Sequence, residues 1–175
     1  IACDARDAAG GGQVAGSLGP LIGSYRMDPL PENAVELFDE VCRIQAEYVD
    51  LFVIETASST AQVEAALAGA TGHGKPIWVS VSVNDYDGTV LRSGEPVERW
   101  LDYADRADAL LINCATPEAL TQAMDIIKVT DKPFGGYANG FTEITTSFVQ
   151  VGATVKELSA RPDMTPELYA DFAEK

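Results

Sequence analysis

Residues 109–120 read Ala109-Leu110-Leu111-Ile112-Asn113-Cys114-Ala115-Thr116-Pro117-Glu118-Ala119-Leu120. The run Ala109 to Ile112 is continuously apolar, the pattern of a parallel strand covered on both faces. Thr116-Pro117-Glu118 then opens a helix with a hydroxyl cap, proline at the first helical position and a carboxylate near the positive dipole end. A strand passing straight into a helix is half of a βαβ unit, and the rest of the chain repeats it. Further strands are predicted over 13–18, 49–54, 77–83 and 134–138, spaced by about one βαβ unit of ~30 residues. Ala34, Leu37, Phe38, Val41, Ile44 and Tyr48 form one face of a helix. Ser59 with Gln62 fits a capping box ahead of Val63, Ala66, Leu67 and Ala70. Glu95-Pro96 opens a helix with Val97, Trp100, Leu101 and Ala104 inward, and Thr165-Pro166-Glu167 opens a last one running to Lys175. The alternation predicts an α/β fold with a parallel sheet. Length and pattern alone favour an open parallel α/β sheet, because a closed eight-stranded barrel typically takes ~250 residues.

The chain has 175 residues, with 12 Lys and Arg against 27 Asp and Glu, a formal charge of −15. Such a field repels polyphosphate, so nucleic acid and anionic membrane surfaces are excluded as expected partners. No apolar run approaches the ~20 residues of a membrane helix, and no signal peptide follows Ile1. Three widely spaced cysteines, Cys3, Cys42 and Cys114, argue against a disulfide framework. A single domain in the cytoplasm is expected.

In either architecture ligands bind at the carboxyl ends of the strands. The polar residues there are Ser17 and Gly19, Glu55, Ser82 and Asn84, Asn113 and Cys114, and Tyr137 and Asn139. Glu55 ends the apolar run Leu51-Phe52-Val53-Ile54, where an ionised carboxylate is costly unless paired. It either caps or salt-bridges a neighbour, or it grips a substrate ammonium. Cys114 precedes a helix N-terminus, which favours a thiolate, yet free cysteine is also a common core residue, so both readings stay open. No Cys or His stands at metal-ligand spacing from Cys114. His73, the one histidine, lies in the Gly- and Pro-marked loop 71–76, at the end opposite the expected site. Cys42 reads as packing. Lys75 and Lys132 precede strands, at the wrong end for a Schiff-base lyase or aldolase.

Six stretches in order resemble the homocysteine S-methyltransferase family, which includes betaine- and S-methylmethionine-dependent enzymes. They are residues 14–20, Asp50-Leu51-Phe52-Val53-Ile54-Glu55-Thr56, Pro76-Ile77-Trp78-Val79-Ser80, residues 87–94 with Leu91-Arg92-Ser93-Gly94, Leu111-Ile112-Asn113-Cys114, and Tyr137-Ala138-Asn139-Gly140. The resemblance spans roughly residues 14–140, and a tail at residues 157–167 fits some members. It implies a (β/α)8 TIM barrel, of which this chain holds about strands three to seven: an incomplete barrel, residues 1–175 forming one partial homocysteine-binding domain. It implies a zinc-dependent enzyme in which homocysteine sulfur takes a methyl group from a sulfonium or quaternary ammonium donor to give methionine. Cys114 matches a catalytic zinc thiolate and Glu55 the residue that holds the substrate ammonium; Asn113, Asn139 and Ser17 are further substrate-binding candidates. The family's Asp-Gly-Gly and Gly-Gly-Cys-Cys motifs are not among these residues, so activity is expected to need segments beyond them. A non-catalytic α/β binding or interaction module is the alternative. An incomplete barrel would leave open edges near Val14 and Phe134 and bare an inner face including Val79 and Ile112. Further segments, the favoured option given Ile1 and the cut-short last helix, or a second copy in a homo-oligomer would cover them.

Overall fold

The structure is a computed structural model that describes residues 1–174. Its centre is a five-stranded sheet, β1 (Ala15–Leu18), β2 (Leu51–Ala57), β3 (Ile77–Val81), β4 (Ala109–Asn113) and β5 (Phe134–Tyr137), in the order β1-β2-β3-β4-β5. Every pairing is parallel. Between the strands come α2 (Ala34–Gln45), α3 (Thr60–Ala70), the 3-10 helix Val97–Arg106 and α4 (Pro117–Ile127); α1 (Ala2–Ala9) precedes the sheet and α5 (Pro166–Ala173) follows it. Consecutive helices pack side by side: α2 on α3, α3 and α4 on the 3-10 helix, α4 on α5. The chain therefore winds in one direction with one helical layer. A doubly wound open sheet reverses its strand order at a switch point and carries helices on both faces. This is the arc of a parallel barrel. Among the described residues no helix is long and apolar enough to cross a membrane.

The core lies between the sheet and the helices. Phe52, Ile54, Val79, Val81, Leu110 and Ile112 are each at most 2% exposed, and Gly136, paired with Ile112, abuts Met124 of α4. The expectation for Val79 and Ile112 is corrected here: both face the helices. Strand side chains alternate with period two, so the opposite, open face carries Val53, Trp78 and Leu111, all half-buried, with Ser80 and Asn113. The open edges are β1 and β5, as expected, and Phe134 is exposed.

Other local expectations shift in instructive ways. In α2 the buried stripe is Ala34, Phe38 and Cys42, whereas Ile44 and Tyr48 point outward. Burial pushes the Cys42 thiol up to about 11, helped by nearby Asp39. Residues 97–106 form a 3-10 helix, whose face repeats every three residues: Val97 and Trp100 are buried and Tyr103 half-buried. Ser59 caps α3 by accepting from the Gln62 amide, but the Gln62 side chain answers to the Ser58 amide instead of that of Ser59. Thr116 and Thr165 cap α4 and α5 as predicted; α5 ends at Ala173, and Lys175 lies outside the described residues.

Helices α2 and α3 approach closely at Gly69. A Cβ there would sit 2.5 Å from Phe38 Cβ, 2.7 Å from the Val35 carbonyl oxygen and 2.8 Å from the Asp39 nitrogen. On an exposed helix Gly→Ala gains about 1 kcal/mol. Here the added methyl meets the backbone of α2, and overpacking of this kind costs about 1–3 kcal/mol. Gly69→Ala is expected to be net destabilising in a urea melt; an unchanged or raised midpoint would mean that α2 moves aside freely.

Candidate functional site

The carboxyl rim of the sheet is built around Asn113, the last residue of β4, which is fully buried. Its Oδ1 accepts from the Thr56 amide at 3.2 Å and from Ser80 Oγ at 2.8 Å. Its Nδ2 points to Thr56 Oγ1 at 2.9 Å, Tyr137 Oη at 2.8 Å and Cys114 Sγ at 3.3 Å. Three acceptors for two hydrogens make one of these bonds shared. Asn113 thus ties β2, β3, β4 and β5 together at the level where the site opens.

Tyr137 extends the link. Its hydroxyl accepts from Asn113 and donates to Glu55 Oε2 at 3.1 Å. Burial is the first cause pushing this phenol up to about 12; the Asn113 bond pulls it down, while Cys114 and Glu55 push it further up. The hydroxyl therefore keeps its proton at neutral pH and remains a donor to Glu55. Glu55 makes no ion pair among the described residues. Neither structural role open to it, helix cap or salt bridge, is occupied. Its half-buried carboxylate is on the open side of the sheet and accepts from one neutral donor, the Tyr137 hydroxyl.

Cys114 follows β4 with φ 56°, and Thr56 sits at φ 58° in an irregularity of β2, where the register slips between Ile54 and Ala57. Tyr25 is the third non-glycine residue with positive φ, at 64°. The left-handed conformation costs about 1–2 kcal/mol for such residues, and two of the three, Thr56 and Cys114, meet at the sulfur. Thr56 Oγ1 lies 4.0 Å from Cys114 Sγ. The Tyr25 hydroxyl is raised well above the ordinary phenol range, chiefly by burial and then by the charge and hydrogen bond of Cys114. Strain concentrated on groups around one reactive atom is a pattern of functional sites.

Behind the sulfur lies a buried ion pair. Arg92 holds Asp85 through Nη1 at 3.1 Å and Nη2 at 2.9 Å, and both side chains are at most 10% exposed. Arg92 also stacks on the Tyr25 ring, with Cζ 4.7 Å from the centroid. The loop that carries the pair, 82–96, is anchored by fully buried Leu91 and by short antiparallel bridges.

Hydrogen bonds through Tyr137 link Glu55, Asn113 and Cys114, and the other two candidates, Ser17 and Asn139, have no side-chain bond to that line among the described residues. Ser17 is exposed on the edge strand β1, and its carbonyl accepts from Gln45 Nε2 at 3.4 Å. Asn139 bonds through its backbone to Ala115, and its Oδ1 accepts from the Phe141 amide. Sequence reasoning assigned no role to Thr56, Tyr25, Asp85 or Arg92; for Arg92 the one signal was its place in Leu91-Arg92-Ser93-Gly94. His73 pairs with Asp39 beyond the amino end of β3, away from the site. Lys132 reaches the Ala107 carbonyl, also at the amino end. Cys3, Cys42 and Cys114 are all free thiols.

A zinc ion of the kind the resemblance implies needs three or four protein ligands. Among the described residues no group of three or more His, Cys, Asp or Glu side chains could hold a metal. Among the described residues Cys114 is the sole thiol at the rim, so these residues alone do not fit zinc.

The fold and site define a singly wound parallel α/β protein of barrel type, with a thiol and a carboxylate at the carboxyl ends of its strands. A family model described as homocysteine S-methyltransferase matches residues 1–175, the whole chain. The chain belongs to the homocysteine S-methyltransferase family. The match extends beyond the 14–140 stretch in which the motifs are recognisable. No curated protein matches the chain.

Proposed function

We propose that this chain carries the homocysteine site of an S-methyltransferase that makes methionine. The observation that supports the reading most is the hydrogen-bonded line Glu55–Tyr137–Asn113–Cys114, which joins a carboxylate without a cation to a thiol across three strands of one rim. Glu55 takes the amino-acid ammonium in a charge-assisted contact. That contact orients the substrate so that its sulfur lies toward Cys114. Asn113, with its amide already engaged by protein groups, holds the two ends in register; Ser17 and Asn139 are outer contacts of the same substrate.

In the reaction the homocysteine sulfur gives up its proton to solvent and attacks the methyl carbon of a sulfonium or quaternary ammonium donor in line. The new S–CH3 bond forms as the donor's S–CH3 or N–CH3 bond breaks. The bonding pair leaves with the donor, which becomes a neutral thioether or amine. Cys114 is proposed as one thiolate ligand of a zinc ion whose other ligands come from outside the described residues. Activity accordingly requires those further donors, which additional segments or a second copy of the chain would supply.

The test is Glu55→Gln in a protein that carries those further donors. Losing a charge-assisted hydrogen bond of about 1.5–3 kcal/mol is expected to raise KM for homocysteine by about ten- to a hundredfold, with a smaller change in kcat. An unchanged KM would place the ammonium elsewhere. A non-catalytic module would show no homocysteine-dependent methyl transfer at all.

A further inference from the structure

The peptide groups on both sides of Cys114 are hydrogen-bonded. Its amide donates to the Tyr137 carbonyl at 3.0 Å, continuing the β4–β5 ladder. Its carbonyl accepts from Arg92 Nη2 at 3.0 Å and from Ser82 Oγ at 3.4 Å. Arg92 Nε in turn donates to that same Ser82 Oγ at 2.8 Å. Two residues on, the Thr116 amide donates to Asp85 Oδ1 at 3.2 Å, and Thr116 Oγ1 donates to the Asp85 carbonyl at 2.8 Å. Asp85 Oδ2 also takes the Ile144 amide at 2.7 Å. The short segment from Cys114 to Thr116 is therefore gripped at its carbonyl by the arginine and at its far amide by the aspartate.

We propose that Arg92, oriented by Asp85, is a positioning residue that holds the Cys114 backbone left-handed and thereby aims the thiol at Thr56 and Asn113. Nothing in the local sequence requires that conformation, because Cys114 is not a glycine and its preferred backbone is elsewhere. The planar guanidinium fork is what lets one side chain bond Ser82, Asp85 and the Cys114 carbonyl together; a lysine ammonium at the same place is a single point donor without that geometry. Stacking on the Tyr25 ring, with Cζ 4.7 Å from its centroid, fixes the plane of the fork. The assignment deepens the methyltransferase reading and rests on it for its functional meaning.

The test compares Arg92→Lys with the parent protein by two readouts on Cys114, with Cys3 as reference. Cys3 is half-buried on α1, where its thiol donates to the Tyr48 carbonyl. One readout is the 13Cα and 13Cβ chemical shifts of Cys114, which report its backbone conformation. The other is the iodoacetamide alkylation rate at fixed pH, read by peptide mass spectrometry. The expected result is a folded variant whose Cys114 shifts leave the left-handed range and whose alkylation runs about tenfold faster, with Cys3 unchanged, because the released backbone swings the half-buried thiol out toward solvent and the reagent. A folded variant with both Cys114 readouts at parent values would overturn the proposal. If Arg92→Lys does not fold, Arg92→Gln keeps a planar amide donor of shorter reach that cannot bond Ser82, Asp85 and the Cys114 carbonyl together. The same two readouts are then expected to move in the same directions, and parent values for both would again overturn the proposal. Neither readout uses methyl transfer, so a parent protein that proves inactive toward homocysteine counts against the methyltransferase reading alone.

Discussion

In a protein that carries the further zinc donors, replacing Cys114 by Ala is expected to lower homocysteine methylation by about a thousandfold or more, the scale seen when a group acting on the reacting centre is deleted. The thiol is the only soft ligand or nucleophile at the rim; the other two cysteines lie in α1 and in the core under α2. Its removal leaves Asn113 with Thr56 and Tyr137 as partners, so the hub keeps its bonds across the strands. The side chain is half-buried, and the variant should fold. Cys114→Ser separates sulfur chemistry from packing: it preserves size and hydrogen bonding and is expected to be as inactive as the alanine form. A retained rate in either would show that another group activates the homocysteine sulfur. Metal analysis adds a second check. The 1–175 chain is expected to hold no stoichiometric zinc, because one thiolate is too few. Stoichiometric zinc that disappears on mutating Cys114 would mean that ligands arrive from a second chain.

Asp85→Ala is expected to give the largest loss of stability of any single substitution at the rim. Asp85 is 3% exposed in its side chain and meets the Arg92 guanidinium through both oxygens. Removing it strands a buried positive charge, for which about 3–5 kcal/mol is typical. The Thr116 and Ile144 amides lose their acceptor as well. Against a domain stability of about 5–15 kcal/mol this is a large share. Chemical denaturation should show it as a lowered midpoint. A cost under about 1 kcal/mol, the range of exposed pairs, would mean that solvent reaches the pair.

The sheet was legible because β2 and β4 are apolar runs ending in polar residues, and because Thr116-Pro117-Glu118 and Thr165-Pro166-Glu167 mark helix starts unambiguously. Which face of a strand meets the helices was not. In a sheet covered on one side only by helices, Val79 and Ile112 look no different in sequence from their neighbours Trp78 and Leu111. The helix Ala2–Ala9 buries no residue and so left no periodic trace. Glu55 and Cys114 stood out as costly or reactive groups closing apolar runs, and Asn113 by adjacency. Arg92, Asp85, Thr56 and Tyr25 did not, since their parts depend on loop 82–96 folding back over β4 and on left-handed backbone at ordinary residues. Those are tertiary facts with no local spacing rule behind them.

Glu55 and Cys114 are expected to bracket one amino-acid substrate, and a crystal structure of the protein with homocysteine tests this directly. The expected result is the substrate ammonium within hydrogen-bond distance of the Glu55 carboxylate, at about 2.7–3.2 Å, and the sulfur directed toward Cys114. Homocysteine bound with its ammonium away from Glu55, or at a site that does not include the β2–β5 rim, would contradict it.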